Sequence, residues 1–332
     1  MIIDRKKLIM ALLLGFAIFQ APVGQAAEKK FITIGTGGIG GGYYPAGGFV
    51  CNAINKTRQK NDHTIHCSVE STAGSVGNLR SLRAGESDVG FSQADWQFHA
   101  YNGSSKFEKA GPNKKIRFLF SLQIEPMQLI TRDEANIQNF QDLKGKIVNT
   151  GNVGSGTEAT VYNAISKYGT TAKEFFKQDV KLTPREQALA LCDGKIDAFF
   201  FPVAIGTASV VEATNSCNAQ LADWNDDIIY KWVDETPYLG RMEVPKGSYP
   251  GQERTIQTWG MPATVVTTSD LDDESAYLIT KAVFDNFENF KRQSALFAGM
   301  TREGSAKNGQ STPYHPGALK YYKEVYREGF NS

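Results

Sequence analysis

Short apolar runs alternate along the chain with longer segments whose apolar positions recur at helical spacing. Residues 31–34, 63–70 and 88–92 have the β-branched and aromatic content of strands, and residues 44–57 and 75–83 between them have the pattern of amphipathic helices. Strands that alternate with helices indicate an α/β protein with largely parallel sheets. We therefore predict this architecture for the chain.

Further strands are predicted at 116–122, 128–131 and 146–149. Gly85 follows the predicted helix 75–83, where a glycine commonly ends a helix in the left-handed conformation.

The second part of the chain repeats the first in outline. Strand 31–34 leads into a glycine-rich loop and a helix, and strand 146–149 does the same. Later in each part, a helix end is followed by a glycine, an aspartate and a buried strand. The glycine and aspartate are Gly85 and Asp88 in the first part and Gly194 and Asp197 in the second. Any βαβ protein shows some such similarity. Two matched features in the same order favour two similar lobes.

The first glycine loop, 35–42, contains Gly35-x-Gly37-x-x-Gly40, which satisfies the dinucleotide-binding fingerprint. The acidic residue that would bind the ribose, Glu70, lies further along the chain than the expected distance of about 20 residues. The second loop, 151–157, lacks the Gly-Lys-Ser/Thr ending of a phosphate-binding loop. We therefore predict no nucleotide and no other cofactor.

Both glycine loops, and the segment 71–75, supply free backbone N–H groups at the start of a helix, where the helix dipole favours an anion. None of the three contains Lys or Arg. A small carboxylate held by amides and hydroxyls is therefore the expected ligand. Taken singly, each Ser or Thr in these segments is explained as a helix N-cap. Together they lie at carboxyl ends of strands, where open α/β sheets bind ligands.

Composition and motifs exclude several other functions. Lys+Arg 36 against Asp+Glu 35 gives a formal charge of +1, so no basic excess favours nucleic acid. The chain has neither a Gly-x-Ser-x-Gly nor a His-Glu-x-x-His motif and contains 4 histidines, so we predict neither a metal site nor an enzyme. Asp88 and Asp197 are expected to cap strand starts.

Two alternatives stay open at this point. One is an exported α/β enzyme that acts on a small organic acid, with Asp88, Asp197 or a tyrosine as the acid–base group. The other is a periplasmic ligand sensor without transport, which would use the same cleft.

The N-terminus has the features of a secretory signal peptide. Arg5, Lys6 and Lys7 precede an apolar run, 8–19, that is shorter than the roughly 20 residues of a spanning helix. Small residues follow, so we expect residues 1–26 to be removed by cleavage near Ala26, and the mature protein to be periplasmic.

Export makes the cysteines informative, because disulfides persist outside the cytoplasm. The mature chain holds an even number of cysteines, which allow three pairings. The sequence-local pairing joins Cys51 with Cys67 and Cys192 with Cys217.

Several segments together resemble the TAXI type of extracytoplasmic solute receptor from tripartite ATP-independent periplasmic (TRAP) transporters. The resemblance covers nearly the whole mature chain, and its segments are IGTGGIGGGYYP (34–45), ESTAGSVGNL (70–79), RAGESD (83–88), DLKGK (142–146), GSGT (154–157) and HPGALKYY (315–322). It implies a type II periplasmic-binding fold of two α/β lobes with a ligand cleft between them. It also implies small acidic ligands, such as glutamate or 2-oxoglutarate, and delivery to a TRAP membrane permease. The sequence-local cysteine pairing resembles one found in a branch of this family, and we predict it here.

With this resemblance we predict lobe 1 at 27–122 and 263–332 and lobe 2 at 123–262, with crossings near Glu125 and Pro126 and at 259–263. We expect the ligand to contact both lobes. The predicted contacts are Gly37, Tyr43, Tyr44, Ser71, Thr72 and Gln93 in lobe 1 and Ser155, Gly156 and Thr157 in lobe 2.

Overall fold

A computed structural model describes residues 28–326 and 329–330. The predicted signal peptide, 1–26, lies outside the described residues. The strands are β1 Lys30–Gly35, β2 Ile65–Glu70, β3 Val89–Gln93, β4 Ile116–Thr131, β5 Ile147–Asn149, β6 Gln178–Val180, β7 Ala198–Pro202, β8 Gln220–Ala222, β9 Gly240–Val244 and β10 Ile256–Thr268.

Helices follow most of these strands, as the alternating pattern predicts. They are α1 Tyr43–Lys56, α2 Ser75–Ala84, α3 Ala94–Asn102, α4 Gly156–Ser166, α5 Ala172–Phe175, α6 Pro184–Cys192, α7 Ala208–Cys217, α8 Asp227–Asp234, α9 Asp273–Phe284, α10 Phe287–Lys291, α11 Arg302–Lys307 and α12 Pro316–Tyr326. Among the described residues, none of these helices has both the length and the apolar content that crossing a bilayer requires.

The strands run in the order β2-β1-β3-β10-β4-β7-β5-β6. In the first lobe β1 pairs in parallel with β2 and β3, and β10 runs antiparallel between β3 and β4. In the second lobe β5 pairs in parallel with β6 and β7, while the end of β4 pairs antiparallel with β7 and β8. Strand β9 pairs with the start of β10.

Two long strands, β4 and β10, belong to both lobes. Strand β4 pairs with β10 over most of its length and then with β7 from Met127 onward. Glu125 and Pro126 are the last residues of β4 that pair with β10, directly before the region that pairs with β7, and residues 259–263 lie within β10. The lobe boundaries drawn from the sequence at these positions stay a prediction.

The structure joins the two strands that we predicted separately at 116–122 and 128–131 into one. The polar residues and the proline between them indicated a break, because proline cannot donate to a strand ladder. Pro126 is tolerated because β7 begins to pair only at the next residue, Met127. The carbonyl of Pro126 still accepts a hydrogen bond from the Val203 N–H, at 3.3 Å.

Each lobe has its own aromatic core. In the first lobe Phe120 packs edge-on against Phe284 of α9 beneath the sheet. In the second lobe Phe140 stacks on Trp224, with ring centroids 4.6 Å apart, and Trp224 contacts Phe200 of β7. The clusters include Ile34 of β1 and Val148 of β5, the strands that lead into the two glycine-rich loops.

The structure contains both sequence-local disulfide bonds. Cys51 with Cys67 ties α1 to β2, and Cys192 with Cys217 ties the end of α6 to the end of α7.

The repeated helix–glycine–aspartate pattern forms the same local structure in both lobes. Gly85 ends α2 in the left-handed conformation, with φ 72°, as predicted. The carboxylate of Asp88 accepts a hydrogen bond from the Thr33 N–H at 2.8 Å, and that of Asp197 accepts one from the Ile147 N–H at 2.9 Å. Each aspartate thus caps the adjacent strand, which is the structural role expected from the sequence.

Candidate functional site

A cavity of about 50 Å³ lies between the lobes, where β1, β2, β3 and β5 end. It is well below the roughly 300–1,000 Å³ typical of pockets that bind drug-sized ligands, so it suits a small molecule. Its lining contains no Lys or Arg: Gly37, Gly38, Gly41, Gly42, Tyr43, Ala73, Gly74, Ser75, Gln93, Glu125, Asn152, Ser155, Gly156, Thr157, Pro184, Phe201, Pro202 and Val203.

Three helices begin at this cavity. α1 starts at Tyr43, α2 at Ser75 and α4 at Gly156, and all three residues line it. The backbone N–H groups of Ser75, Gly156 and Thr157 do not donate to any acceptor in the described part of the chain. Unpaired first-turn amides and the aligned helix dipoles make the cavity favourable for a negative charge.

Gly156 permits the close approach of the two lobes. A Cβ atom at this position would lie 1.7 Å from Gln93 Oε1 and 2.6 Å from Ser75 Oγ. The start of α4 therefore packs directly against the first lobe. From the sequence we expected this glycine only as a ligand contact, and the structure gives it this second role.

The structure brings most of the predicted site residues to the cavity. The predicted residues that line it are Gly37, Tyr43, Gln93, Ser155, Gly156 and Thr157. Tyr44, Ser71 and Thr72 do not line it.

Ser71 and Thr72 support the loops instead. The Ser71 hydroxyl donates to the Gly37 carbonyl at 3.2 Å. The Thr72 hydroxyl donates to Asn78 Oδ1 at 2.7 Å and accepts from the Gly74 N–H at 3.1 Å. Tyr44 is half-buried on α1, one residue further around the helix than Tyr43, so it faces away from the cavity.

The two hydroxyls of the second lobe have different roles. Ser155 Oγ accepts a hydrogen bond from the Glu158 N–H at 3.1 Å, so it caps α4. Thr157 lines the cavity, and its hydroxyl makes no hydrogen bond within the described part of the chain. Of these two hydroxyls, that of Thr157 is the one available to a ligand.

Glu125 lines the cavity. From the sequence we expected it only at the crossing between the lobes. It is 1% exposed. The Tyr43 hydroxyl donates to Glu125 Oε2 at 3.0 Å, and Gln123 Nε2 donates to Glu125 Oε1 at 3.0 Å. Burial raises the pKa of Glu125 to about 8, although both hydrogen bonds act to lower it. The sequence signal that could have identified it is that Glu125 is the one acidic residue of the strand Ile116–Thr131.

A second buried carboxyl, that of Asp95, joins the lobes beside the cavity. Asp95 lies at the start of α3 and is 3% exposed. Burial raises its pKa to about 7. Its Oδ2 accepts a hydrogen bond from Thr160 of α4 at 2.5 Å. Nothing in the sequence singles out Asp95, because an aspartate in the first turn of a helix is common.

Lysines from both lobes hold α4 in place outside the cavity. Lys106 Nζ, from the short 3-10 helix Ser105–Ala110, lies 3.5 Å from Glu158, and Lys181 Nζ lies 3.3 Å from Glu158. These cations act on the side of α4 and do not line the cavity.

Comparison with known proteins matches this chain to a protein family. The model described as "NMT1-like family" matches residues 34–325. A solved structure from Bordetella bronchiseptica RB50 is 13% identical, with 90% of this chain and 99% of that chain covered and a TM-score of 0.55.

Two further solved structures are named for import. One comes from work on glutathione import via GshT and the cystine ABC importer TcyBC of Streptococcus mutans. It is 14% identical, with 82% of this chain and 96% of that chain covered and a TM-score of 0.51. A putative L-cystine ABC transporter from Listeria monocytogenes is 16% identical, with coverages of 81% and 96% and a TM-score of 0.50. At these identities the likeness establishes the fold, and it confirms the predicted two-lobed α/β fold of type II periplasmic-binding proteins.

Proposed function

The chain belongs to the NMT1-like family, and we propose that it is an exported solute-binding receptor that captures a small carboxylate between its lobes. One observation carries the proposal: three helix N-termini meet at one interlobe cavity that no Lys or Arg lines. Amides and hydroxyls can bind a carboxylate at such a place without a cationic side chain.

The proposed contacts come from both lobes. The N–H of Ser75 and the Gln93 amide face the ligand from the first lobe, and the N–H groups of Gly156 and Thr157, with the Thr157 hydroxyl, face it from the second. A micromolar ligand needs about −8 kcal/mol. A few charge-assisted hydrogen bonds in a desolvated cleft supply energies of this order.

We further propose that the loaded receptor docks on a TRAP permease, as the resemblance to TAXI receptors implies. The two structural neighbours named for import belong to ABC systems. A TRAP partner is expected to take up the receptor-bound acid in proteoliposomes without ATP. Uptake that requires ATP would contradict this part of the proposal and leave solute capture standing.

A thermal-shift screen of the mature protein tests the capture step. The panel contains dicarboxylates, keto acids and acidic amino acids, each with its uncharged amide as matched control. A ligand at 100 times its Kd is expected to stabilise the protein by roughly 2.7 kcal/mol. The proposal predicts that acids stabilise the protein and their amides do not. Equal stabilisation by acid and amide, or by neither, would contradict it.

A further inference from the structure

Glu125 lies where a bound carboxylate would meet it. It sits on β4 at the point where this strand passes between the lobes, paired in register with Met261 of β10. Its side chain lines the cavity that the helix N-termini of Ser75 and Gly156 also line. A carboxyl group thus faces the same small space as the amides that favour an anion.

Within the described residues, no neighbouring element supplies a cation to Glu125. The titratable groups that face Glu125 are Tyr43 of α1 and Asp95 of α3, and neither side chain can carry a positive charge. On the remaining sides lie Met261 of β10 and the uncharged residues Pro202 and Val203. An ionised Glu125 and an anionic ligand would therefore be two like charges in one desolvated cavity, which disfavours the charged form of one of them.

We propose that Glu125 contacts the ligand in its neutral, protonated form, so that capture of a carboxylate takes up a proton from solvent wherever Glu125 is ionised in the free protein. This inference rests on the proposed function and adds a specificity-determining residue to it. The proton binds to one carboxyl oxygen of Glu125, and the resulting O–H donates to an oxygen of the ligand. Apart from the O–H bond formed with the proton from solvent, no covalent bond forms or breaks in the protein or the ligand.

The hydrogen bonds that Glu125 accepts from the protein are compatible with a protonated carboxyl whose O–H donates to the ligand. Tyr43 donates to Oε2 and Gln123 donates to Oε1. Both oxygens thus already accept, and a carboxyl proton that leaves these two hydrogen bonds in place has no further acceptor in the described part of the chain. A ligand oxygen would complete the set, since a carboxylic acid offers one donor besides its acceptor sites. The raised pKa of Glu125, about 8, makes the neutral form accessible near neutral pH.

The test is calorimetry of the mature protein at pH 7 and pH 9, in buffers of different ionisation enthalpy. The probes are 2-oxoglutarate and glutarate, which carry no ammonium group, and L-glutamate, which does. With a pKa of about 8 for the free protein, the dianions are expected to bind about tenfold more weakly at pH 9 than at pH 7. At pH 9 their binding is expected to take up about 0.9 proton.

Variants separate Glu125 from the other buried carboxyl. Glu125→Gln keeps a donor at every pH, so at pH 9 it is expected to bind the dianions about tenfold more tightly than the wild type and without proton uptake. Asp95→Asn, the matched control, removes a carboxyl that does not line the cavity and is expected to retain proton uptake at pH 9. The wild-type measurement alone decides the inference if a variant fails to fold.

Three other outcomes of these experiments would each contradict the inference. Binding of the dianions at pH 9 without proton uptake overturns the inference and leaves carboxylate capture intact. Proton release on binding of L-glutamate, together with loss of that binding in Glu125→Gln, shows that an ionised Glu125 binds an ammonium group and also overturns it. If no probe binds at either pH, carboxylate capture fails and the inference fails with it.

Discussion

Asp95 of the first lobe accepts a hydrogen bond from the Thr160 hydroxyl of the second lobe at 2.5 Å. The same hydroxyl accepts from Trp96 Nε1 at 2.8 Å, and Trp96 Nε1 also lies 3.1 Å from the Gly156 carbonyl. All of these groups are buried. Protein atoms alone therefore hold the lobes together beside the cavity, and a ligand adds its contacts to an existing set.

Thr160→Val tests this contact. The substitution keeps the shape of the side chain and leaves the buried carboxyl of Asp95 without its partner. We expect the free energy of unfolding to fall by about 1–3 kcal/mol, measured by urea denaturation. Thr33→Val is the control, because the Thr33 hydroxyl makes no hydrogen bond in the described part of the chain. Equal stability of the two variants would show that the contact contributes nothing.

The buried carboxyls also make stability depend on pH. The folded-state pKa values, about 8 for Glu125 and about 7 for Asp95, lie above the unfolded values near 4. The folded protein therefore binds more protons than the unfolded chain between about pH 4 and pH 8. Their contribution is fully present below about pH 4, falls progressively above it and is lost once the pH exceeds the folded-state pKa values of about 7 and about 8. One pKa unit corresponds to about 1.4 kcal/mol, so the loss amounts to several kcal/mol.

We expect the Tm of the wild type to fall between pH 5 and pH 9 by more than that of Glu125→Gln or Asp95→Asn. Calorimetric scans over this range check the sign. A wild-type Tm that rises with pH while both variants stay flat would show that the two carboxyls are ionised in the folded protein.

The disulfides are expected to stabilise each lobe separately. They span sequence separations of 16 and 25 residues, for which the chain-entropy model gives about 3 kcal/mol and about 3.5 kcal/mol. Replacing Cys51 and Cys67 together with serine is expected to lower the free energy of unfolding by about 3 kcal/mol. Non-reducing peptide mapping checks the pairing, and four free thiols or a bridge between the lobes would contradict it.

Turnover separates a receptor from the alternative of an enzyme. The two aspartates proposed as its acid–base groups, Asp88 and Asp197, each accept a hydrogen bond from a strand N–H and do not line the cavity. We expect incubation with glutamate or 2-oxoglutarate to give no product above a protein-free control, as followed by chromatography. Product formed in proportion to the amount of protein would contradict the proposal that the chain is a receptor.

Sequence patterns predicted those features that depend on local chemistry. The left-handed Gly85 and the caps at Asp88 and Asp197 follow from residue types at fixed spacing, and the structure shows all three. The starts of α2 and α4 were predicted for the same reason, because glycine and serine mark a helix N-terminus. Short-range signals of this kind do not depend on the rest of the fold.

Features that depend on contacts between distant segments were missed. The continuity of β4 depends on which partner strand lies beside Pro126, and the sequence alone does not give that. Glu125 and Asp95 are buried only because α1, α4 and β10 close over them. Likewise, Thr72 looks like a ligand group in the sequence, but folding places Asn78 and Gly74 next to its hydroxyl.

Valine substitutions at Thr157 and Thr72 are expected to have opposite effects on ligand binding and on stability, and the comparison tests the proposed site directly. Thr157 lines the cavity with a free hydroxyl, whereas Thr72 donates to Asn78 and does not line it. Thr157→Val leaves a ligand oxygen short of a donor, at a cost of about 1–3 kcal/mol. Binding of the acid identified by thermal shift should therefore weaken roughly 5- to 150-fold in calorimetry, with little change in the free energy of unfolding.

Thr72→Val, the matched control, should show the reverse. It removes hydrogen bonds that hold the loop before α2, so its free energy of unfolding is expected to fall by about 1 kcal/mol. The protein that remains folded should bind the acid with nearly wild-type affinity, because the Thr72 hydroxyl faces Asn78 rather than the cavity. If instead Thr72→Val weakens binding and Thr157→Val does not, the ligand lies against the loop after β2, outside the cavity between the lobes.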